Sequence, residues 1–309
     1  MDKVMRNKMA VFLFVFPSFV LFTLIIIIPV FMSLYYSTLD WNGIGNQTFI
    51  GLQNYAELLT DTDRFLPAVL HTLEFAVASI CIQLPLSMLL ALVLAGKVKG
   101  ERFFVTVYFI PVVLSAVVVG QLWMRIYYPR GGLLNLFLIS IGAMDKTQPT
   151  AWLGNASTAL GAVMVPILWQ YVGYHMLLYY SGIKSISPEI FEAAKIDGAG
   201  FWHTSRFVTI PLLKPILQVS LTFSVVGSMK VFDLIKVMLG DGGPAGSGEV
   251  ITTLLVRRMF HPSNRYGYGS AMAIVLIVLC VVLFQAVAIL FRDRDQRLEK
   301  KLKRGRSHE

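Results

Sequence analysis

Six long apolar runs dominate the chain, and shorter polar stretches separate them. A helix that crosses the hydrocarbon core of a bilayer, about 30 Å thick, needs about 20 consecutive apolar residues. We therefore expect an all-α, polytopic membrane protein with a single membrane domain over residues 1–309. The six runs long enough to cross are 11–36, 67–96, 103–127, 157–183, 212–239 and 268–291.

Charged residues are scarce and lie mostly between the apolar runs. Apolar residues make up 56% of the 309 and charged residues only 15%, well below the about 25% of a soluble domain. A net charge of +9 is compatible with a nucleic-acid partner, but eight of the lysines and arginines lie between Arg292 and Arg306. Most of the others flank apolar runs. This distribution is typical of membrane topology, so we expect no nucleic acid as a partner.

The positive residues also predict the orientation of the chain, because lysine and arginine accumulate in the cytoplasmic segments of membrane proteins. Segments 1–10, 97–102, 184–214 and 292–309 together hold 18 of the 27 lysines and arginines. We therefore expect both termini in the cytoplasm, with a basic C-terminal tail over 292–309.

The cytoplasmic segment 184–211, between the fourth and fifth runs, predicts two short helices joined by a turn. Ser187 suits a helix N-cap and Pro188 the first helical position. Gly198 can adopt the left-handed conformation that ends a helix, and a second helix is expected from about Phe201 to Thr209. We call this segment the elbow.

The first helix of the elbow combines small and apolar side chains. Ala193 and Ala194 are small enough for another surface to approach closely, and Ile190 and Phe191 are apolar projections. On these properties alone, the elbow is either a docking element for a partner or an ordinary amphipathic connector on the membrane.

The spacing of residues in the elbow resembles the "EAA" motif of binding-protein-dependent ABC permeases, E-A-A-x3-G-x9-I-x-L-P. Here Glu192-Ala193-Ala194 is followed after three residues by Gly198, and after nine more by Val208-Thr209-Ile210-Pro211. The spacing agrees throughout, and Val208 and Ile210 are conservative departures. Three further sequences resemble the maltose-type sugar permeases, specifically the subunit with the extra N-terminal helix: Phe49-Ile50-Gly51-Leu52-Gln53-Asn54-Tyr55, Gly242-Gly243-Pro244 and Gly267-Tyr268-Gly269-Ser270-Ala271.

This resemblance implies the partners of the chain. It implies a second homologous permease, two cytoplasmic ABC ATPase subunits and an extracytoplasmic solute-binding protein, within a lipid bilayer. The chain has no G-x-x-x-x-G-K-[ST] phosphate loop, so we expect ATP and Mg on the partner ATPase, and neither cofactor, metal nor enzymatic activity here. The residues expected to couple the elbow to the ATPase are Glu192, Ala193, Ala194, Gly198, Ile190 and Phe191.

Polar side chains near the predicted midplane of the fourth and fifth runs mark a candidate translocation path, because such groups usually face a bundle interior or a watery path. Tyrosine rings and hydroxyls suit sugars, which offer apolar ring faces and hydroxyls. Helix packing is the alternative role for these residues, and Lys230 and Asp233 are spaced to pair with each other. The candidates are Gln170, Tyr171, Tyr174, His175, Ser224, Ser228, Lys230 and Asp233.

The sequence therefore predicts a permease subunit of an ATP-driven ABC importer in a bacterial inner or plasma membrane. It would carry a sugar or oligosaccharide, delivered by the solute-binding protein, through alternating access. Two alternatives remain open. An ion-coupled secondary transporter would need no ATPase and typically shows internal repeats, which are not visible here. An ABC importer for a non-sugar solute such as glycerol phosphate would share the same elbow.

Overall fold

The regular secondary structure of the chain is helical, apart from a two-residue antiparallel pairing of β1 (Leu39–Asp40) with β2 (Thr48–Phe49). The computed structural model describes residues 8–96, 98–260 and 264–291, so the predicted basic tail at 292–309 lies outside the described residues. The all-α prediction is confirmed. The helices are α1 (Lys8–Phe22), α2 (Ile28–Tyr36), α3 (Gln53–Thr60), α4 (Phe65–Ala78), α5 (Leu84–Ala95), α6 (Glu101–Val113), α7 (Ala116–Ile126), α8 (Leu133–Ser140), α9 (Ala159–Lys184), α10 (Pro188–Ile196), α11 (Phe201–Thr204), α12 (Ile210–Leu212), α13 (Lys214–Met229), α14 (Asp233–Leu239), α15 (Ile251–Phe260) and α16 (Tyr266–Leu290).

Short π-helical turns interrupt these helices at three places in the described chain, each ending two residues before a proline. A proline has no N–H to donate, and its ring clashes with the carbonyl four residues earlier. The wider π turn accommodates this clash, so the helix continues through the proline. The turns are Thr23–Ile27 before Pro29, Ser79–Gln83 before Pro85 and Ser205–Thr209 before Pro211.

Several helical stretches are long and apolar enough to cross a membrane. Among the described residues, Phe12–Tyr36, Phe65–Ala95 and Tyr266–Leu290 meet this criterion as continuous helices. Two bent pairs meet it jointly: α6 with α7, bent by 99°, and Phe201–Leu212 with α13, bent by 76°. The fourth predicted run corresponds to α9, whose 26 residues exceed the about 20 that a span requires. The chain is thus a multi-pass membrane protein, and the crossing by α9 stays a prediction.

Two of the predicted runs are not continuous helices. The third run breaks at Leu114, whose backbone is extended (ψ 142°), and the Ser115 side chain caps α7 by accepting from the Val118 N–H. The fifth run breaks at Lys230, where α13 has ended, and α14 begins at Asp233. Hydropathy indicates only that a segment avoids water, and therefore it revealed neither break.

The chain divides into two compact units. The first covers Met1–Leu66 and Leu255–Val278, and the second covers Pro67–Leu254 and Leu279–Glu309. In the second unit, α9 is central and packs against α5, α6 and α13. Gly173 of α9 lies against the backbone of α6, where any Cβ would clash. This close approach fixes the spacing of helices around the candidate site.

In the first unit, two of the sequences that resemble sugar permeases have a structural role. The Asn54 side chain donates hydrogen bonds to the carbonyls of Ser37 and Leu39, both at 2.9 Å. Gly267 packs against the same Leu39 carbonyl, at a position where a Cβ would clash with it. Both residues therefore hold the loop that follows α2.

An ion pair in the first unit joins α3 to the residue that precedes α16. Glu57 and Arg265 meet through two hydrogen bonds, each of 2.5 Å. The Arg265 guanidinium also lies 4.4 Å from the centre of the Tyr268 ring, and the Tyr268 hydroxyl donates to Asp61 at 3.1 Å. The hydrogen bond from Arg265 is the main cause that lowers the pKa of Glu57 below its ordinary value.

Candidate functional site

The second unit contains a cavity of about 470 Å³, within the about 300–1,000 Å³ typical of small-molecule sites. Its wall comes mainly from α4 with the π turn after it, from α9, and from α13 with the start of α14. The structure brings all eight residues predicted for the translocation path to this one cavity, and their role in transport stays a prediction. They are Gln170, Tyr171, Tyr174, His175, Ser224, Ser228, Lys230 and Asp233.

Four of the eight are buried, and two of these, Gln170 and His175, extend from α9 to neighbouring parts of the chain. Gln170 donates through Nε2 to the Leu114 carbonyl at 3.0 Å, and so satisfies an acceptor that is freed where α6 breaks. His175 Nδ1 lies 2.7 Å from the Ser220 hydroxyl. Both side chains therefore stabilise the wall of the cavity while also lining it.

A chain of buried hydroxyl and amide groups joins the π turn after α4 to α13. The Ser224 hydroxyl donates to Ser79 at 2.7 Å, Ser79 donates to Gln83 at 2.5 Å, and Ser228 donates to the Ser224 carbonyl at 2.9 Å. Ser79 was not among the residues predicted from the sequence. The signal for it is a serine four residues before a glutamine in an apolar run, close to Pro85.

The remaining residues are more accessible. Tyr171 is 45% exposed, and the half-buried ring of Tyr174 lies 6.2 Å from that of Phe223. Lys230 and Asp233 are exposed at the break between α13 and α14. The cavity thus offers aromatic faces, hydroxyls and one charge of each sign, a combination that suits a polar solute without net charge.

The structure also shows which ion pair the charged side chains of α14 form. The spacing of Lys230 and Asp233 allowed the two to pair, and this pair does not form among the described residues. Lys236 Nζ instead lies 2.5 Å from the Asp241 carboxylate. Within the described chain, no group of three or more histidine, cysteine, aspartate or glutamate side chains is arranged to hold a metal ion.

The elbow has the shape that the sequence predicts. Its first helix, α10, begins at Pro188, and Gly198 adopts a left-handed φ of +77°. No atom lies within 4 Å of the place where a Cβ at Gly198 would stand, so the backbone conformation alone favours glycine. The Ser187 side chain, expected to cap α10, makes no capping hydrogen bond.

The side chains of α10 divide between an accessible face and the core of the chain. Glu192 and Ala193 are exposed, and Ile190 is 39% exposed. Ala194 is buried, and Phe191 packs against a buried cluster of the second unit. Phe191, expected as an apolar projection beside Ile190, is thus half-buried against the helices behind α10, and its role in coupling stays a prediction.

An ion pair ties the end of α9, directly before the elbow, to the start of α6. Lys184 Nζ lies 2.8 Å from the Glu101 carboxylate, and the Tyr180 hydroxyl also donates to Glu101. The Lys184 ammonium lies 5.4 Å from the centre of the Tyr180 ring. These contacts connect the residues directly before the elbow to α6.

Comparison with protein families gives a match over most of the chain. Residues 83–296 match the family described as "Binding-protein-dependent transport system inner membrane component". This range is more than half of the chain and contains the elbow, α9, α13 and α14.

Curated relatives and a solved structure cover nearly the whole chain. The chain is 38% identical to the probable ABC transporter permease protein YurN of Bacillus subtilis, over 90% of this chain and 94% of that protein. It is 31% identical to the diacetylchitobiose uptake system permease protein NgcF of Streptomyces coelicolor, over 87% and 78% of the two chains. Its fold is similar to a chain in the crystal structure of a bacterial alginate ABC transporter in complex with an alginate pentasaccharide-bound periplasmic protein. That match has a TM-score of 0.79 and 22% identity, and it covers 94% of this chain and 96% of that chain.

Proposed function

The chain belongs to the family of binding-protein-dependent transport system inner membrane components, and we propose that it passes an uncharged sugar or oligosaccharide through the cavity of its second unit. It is a permease subunit of an ABC importer. A relative named for the uptake of diacetylchitobiose, an uncharged disaccharide, supports such a carbohydrate as the cargo.

The observation that carries this proposal is the composition of the cavity wall. Tyr171 and Tyr174 offer ring faces to the apolar side of a sugar, and hydroxyl and amide groups line the same space. Lys230 and Asp233 balance each other's charge, which disfavours an anionic cargo such as glycerol phosphate. The proposed transport is alternating access around this cavity, without bond chemistry in this chain.

The energy for transport would come from partner subunits. Two cytoplasmic ABC ATPases would bind ATP and Mg and dock at the elbow through its accessible face, which includes Glu192, Ala193 and Ile190. Gly198 would hold the elbow bend, while Phe191 and Ala194 would anchor the elbow to the chain itself. A second homologous permease and an extracytoplasmic solute-binding protein would complete the importer in a bacterial inner or plasma membrane.

Uptake by the whole importer tests the cargo. The complex is purified from native membranes, reconstituted in proteoliposomes with its binding protein, and supplied with radiolabelled sugars, sugar phosphates or amino acids. We expect ATP-dependent uptake of a sugar. Tyr174→Ala should lower it by up to about tenfold, because aromatic stacking contributes about 0.5–1.5 kcal/mol.

The matched control is Tyr128→Ala, which removes a 56% exposed ring that does not line the cavity. It should leave uptake unchanged. Equal loss in both variants would remove the support for the cavity as the sugar path, and ATP-dependent uptake of an anionic solute alone would contradict the proposed cargo.

A further inference from the structure

The second half of the elbow, extended by Leu212, forms the segment Phe201–Leu212, which runs at a large angle to the membrane helix that follows it. It consists of α11, a π turn and α12, and it is bent by 76° from α13. Only Leu213 separates it from α13. With α13 along the membrane normal, this segment lies close to the membrane plane, at the cytoplasmic end of the span.

The span does not need this segment. α13 has 16 residues and α14 has 7, which correspond to about 24 Å and about 10 Å of helix. Together they match a hydrocarbon core of about 30 Å. Phe201–Leu212 is therefore free to lie on the bilayer surface.

The side chains of this segment place aromatic rings on its accessible face. Trp202 is 67% exposed, Phe207 61% and Phe201 46%, whereas Ser205 and Thr209 are buried against the chain. A helix that faces water would show the reverse pattern. Exposed aromatic rings at the end of a membrane helix are typical of the membrane–water interface, where ring faces are apolar and ring edges are wet.

The two halves of the elbow also differ in charge. The first half contains three acidic residues and two lysines, and one of the lysines, Lys184, is paired with Glu101 of α6. The acidic residues are Glu189, Glu192 and Asp197, and the other lysine is Lys195. The second half contains no acidic residue, and its one arginine, Arg206, is exposed. Anionic headgroups of the cytoplasmic leaflet attract such a positive segment and repel an acidic one.

We propose that Phe201–Leu212 is an interfacial helix that binds anionic lipid of the cytoplasmic leaflet. The rings of Trp202 and Phe207 insert at the boundary between headgroups and acyl chains, and Arg206 lies beside a lipid phosphate. The acidic first half of the elbow is thereby presented to the cytoplasm. The inference requires only that the chain spans a membrane, so its failure is distinguishable from a failure of the proposed cargo or of ATPase docking.

A lipid-quenching experiment on the full chain tests this proposal. A fluorophore is attached at Phe207→Cys in a variant that also carries Cys81→Ala and Cys280→Ala. The chain is reconstituted without partners into phosphatidylcholine vesicles that contain brominated phosphatidylcholine or brominated phosphatidylglycerol. We expect quenching by both, with a preference for phosphatidylglycerol that Arg206→Gln lowers about fivefold, since one cation at an anionic surface contributes about 1 kcal/mol.

The matched control is the same label at Ile196→Cys, a position that is 86% exposed in the first half of the elbow and should be quenched little. Trp202→Cys serves as a second labelling site if the first variant does not fold. Absence of quenching at the label, or equal quenching by the two lipids, would overturn the proposal. Loss of quenching when a purified ATPase subunit is added would overturn it too, because this face would then dock the ATPase.

Discussion

The elbow and the cavity both place polar side chains in a largely apolar chain, but they assemble them in opposite ways. The elbow takes its exposed residues from one continuous segment, and its bend depends on the backbone at Gly198. The cavity joins residues that are distant in sequence, such as Ser79 and Ser224, which are 145 positions apart. Several polar groups of the cavity are bonded within the chain, whereas those on the accessible face of α10 are exposed.

Because of this difference, we expect changes in the two regions to affect transport and the stability of the fold differently. A change at the elbow alters an exposed surface, the proposed docking site of the ATPase, so it should alter transport while the fold persists. A change in the cavity breaks hydrogen bonds between helices, so it should alter transport and stability together. The following variants test this separation, in order of decreasing effect.

The largest effect is expected for Gly198→Val in the elbow. A left-handed backbone costs an L-residue about 1–2 kcal/mol, and a β-branched residue is an outlier there. If valine disfavours the bent form of the elbow by that amount, the fraction of molecules with a bent elbow falls about tenfold. We expect ATP-dependent uptake in proteoliposomes to fall about tenfold, with little change in the unfolding temperature of the detergent-solubilised chain.

Gly200→Val is the matched control for that variant. Gly200 has a φ of −72°, and nothing lies within 4 Å of the place where its Cβ would stand. Valine fits this backbone, so uptake should persist. Equal loss of uptake in both variants would show that bulk, rather than the bend at Gly198, disturbs the elbow.

A smaller effect on uptake, accompanied by lower stability, is expected for Ser224→Val in the cavity. The change removes the hydrogen bond from α13 to Ser79 and leaves a buried hydroxyl with one partner fewer. Such interhelical bonds contribute about 1 kcal/mol in membrane proteins. We expect the free energy of unfolding to fall by about that amount, measured by thermal unfolding alongside uptake. Thr222→Val is the control, because the Thr222 hydroxyl bonds, within the described part of the chain, only to the Gln218 carbonyl of its own helix. Reduced uptake at unchanged stability in Ser224→Val would contradict the separation.

The smallest effect is expected for Glu57→Gln, a residue of the first unit that belongs to neither region. The pKa of Glu57 lies below its ordinary 4.5, chiefly through the hydrogen bond from Arg265. The stabilisation by the pair is therefore fully present above the pKa of the unfolded chain and is lost as the pH falls through the folded-state pKa. Both side chains are more than a third exposed, so solvent screening keeps the effect below about 1 kcal/mol.

Thermal unfolding across acidic pH checks this expectation. The wild type should lose more stability than Glu57→Gln as the pH falls below 4.5. Asp63→Asn, at an exposed residue of the same region, should behave like the wild type. Parallel pH profiles for Glu57→Gln and the wild type would contradict the role of the pair.

The geometry of the elbow follows from the sequence because it depends on local chemistry. Pro188 begins α10 and Gly198 ends it, and each does so through its own backbone preference. Most of the membrane helices also follow from local sequence, since a helix long enough to cross a bilayer is visible as a run of apolar residues. The sequence predicted that the eight residues line one path only because they lie near the same predicted depth in the membrane.

The interior breaks and the direction of side chains depend on distant residues, and therefore they did not follow from the sequence. The carbonyl freed at Leu114 is satisfied by Gln170, 56 positions later. Phe191 turns inward because a buried cluster from α5 and α9 receives it. The role of Ser79 depends on its hydrogen bond with Ser224 of α13, which forms only in the folded chain. Hydropathy and spacing carry no information on these partners.

Co-purification of an ATPase subunit with this chain tests the proposed docking of the ATPase at the elbow most directly. The chain is purified with a tag from native membranes, and the wild type is compared with the double variant Glu192→Arg/Gly198→Val. We predict that an ABC ATPase and a second permease co-purify with the wild type, and that the double variant loses the ATPase while it keeps the second permease and remains folded. A wild-type chain that purifies alone and carries its solute on an ion gradient without ATP would contradict this.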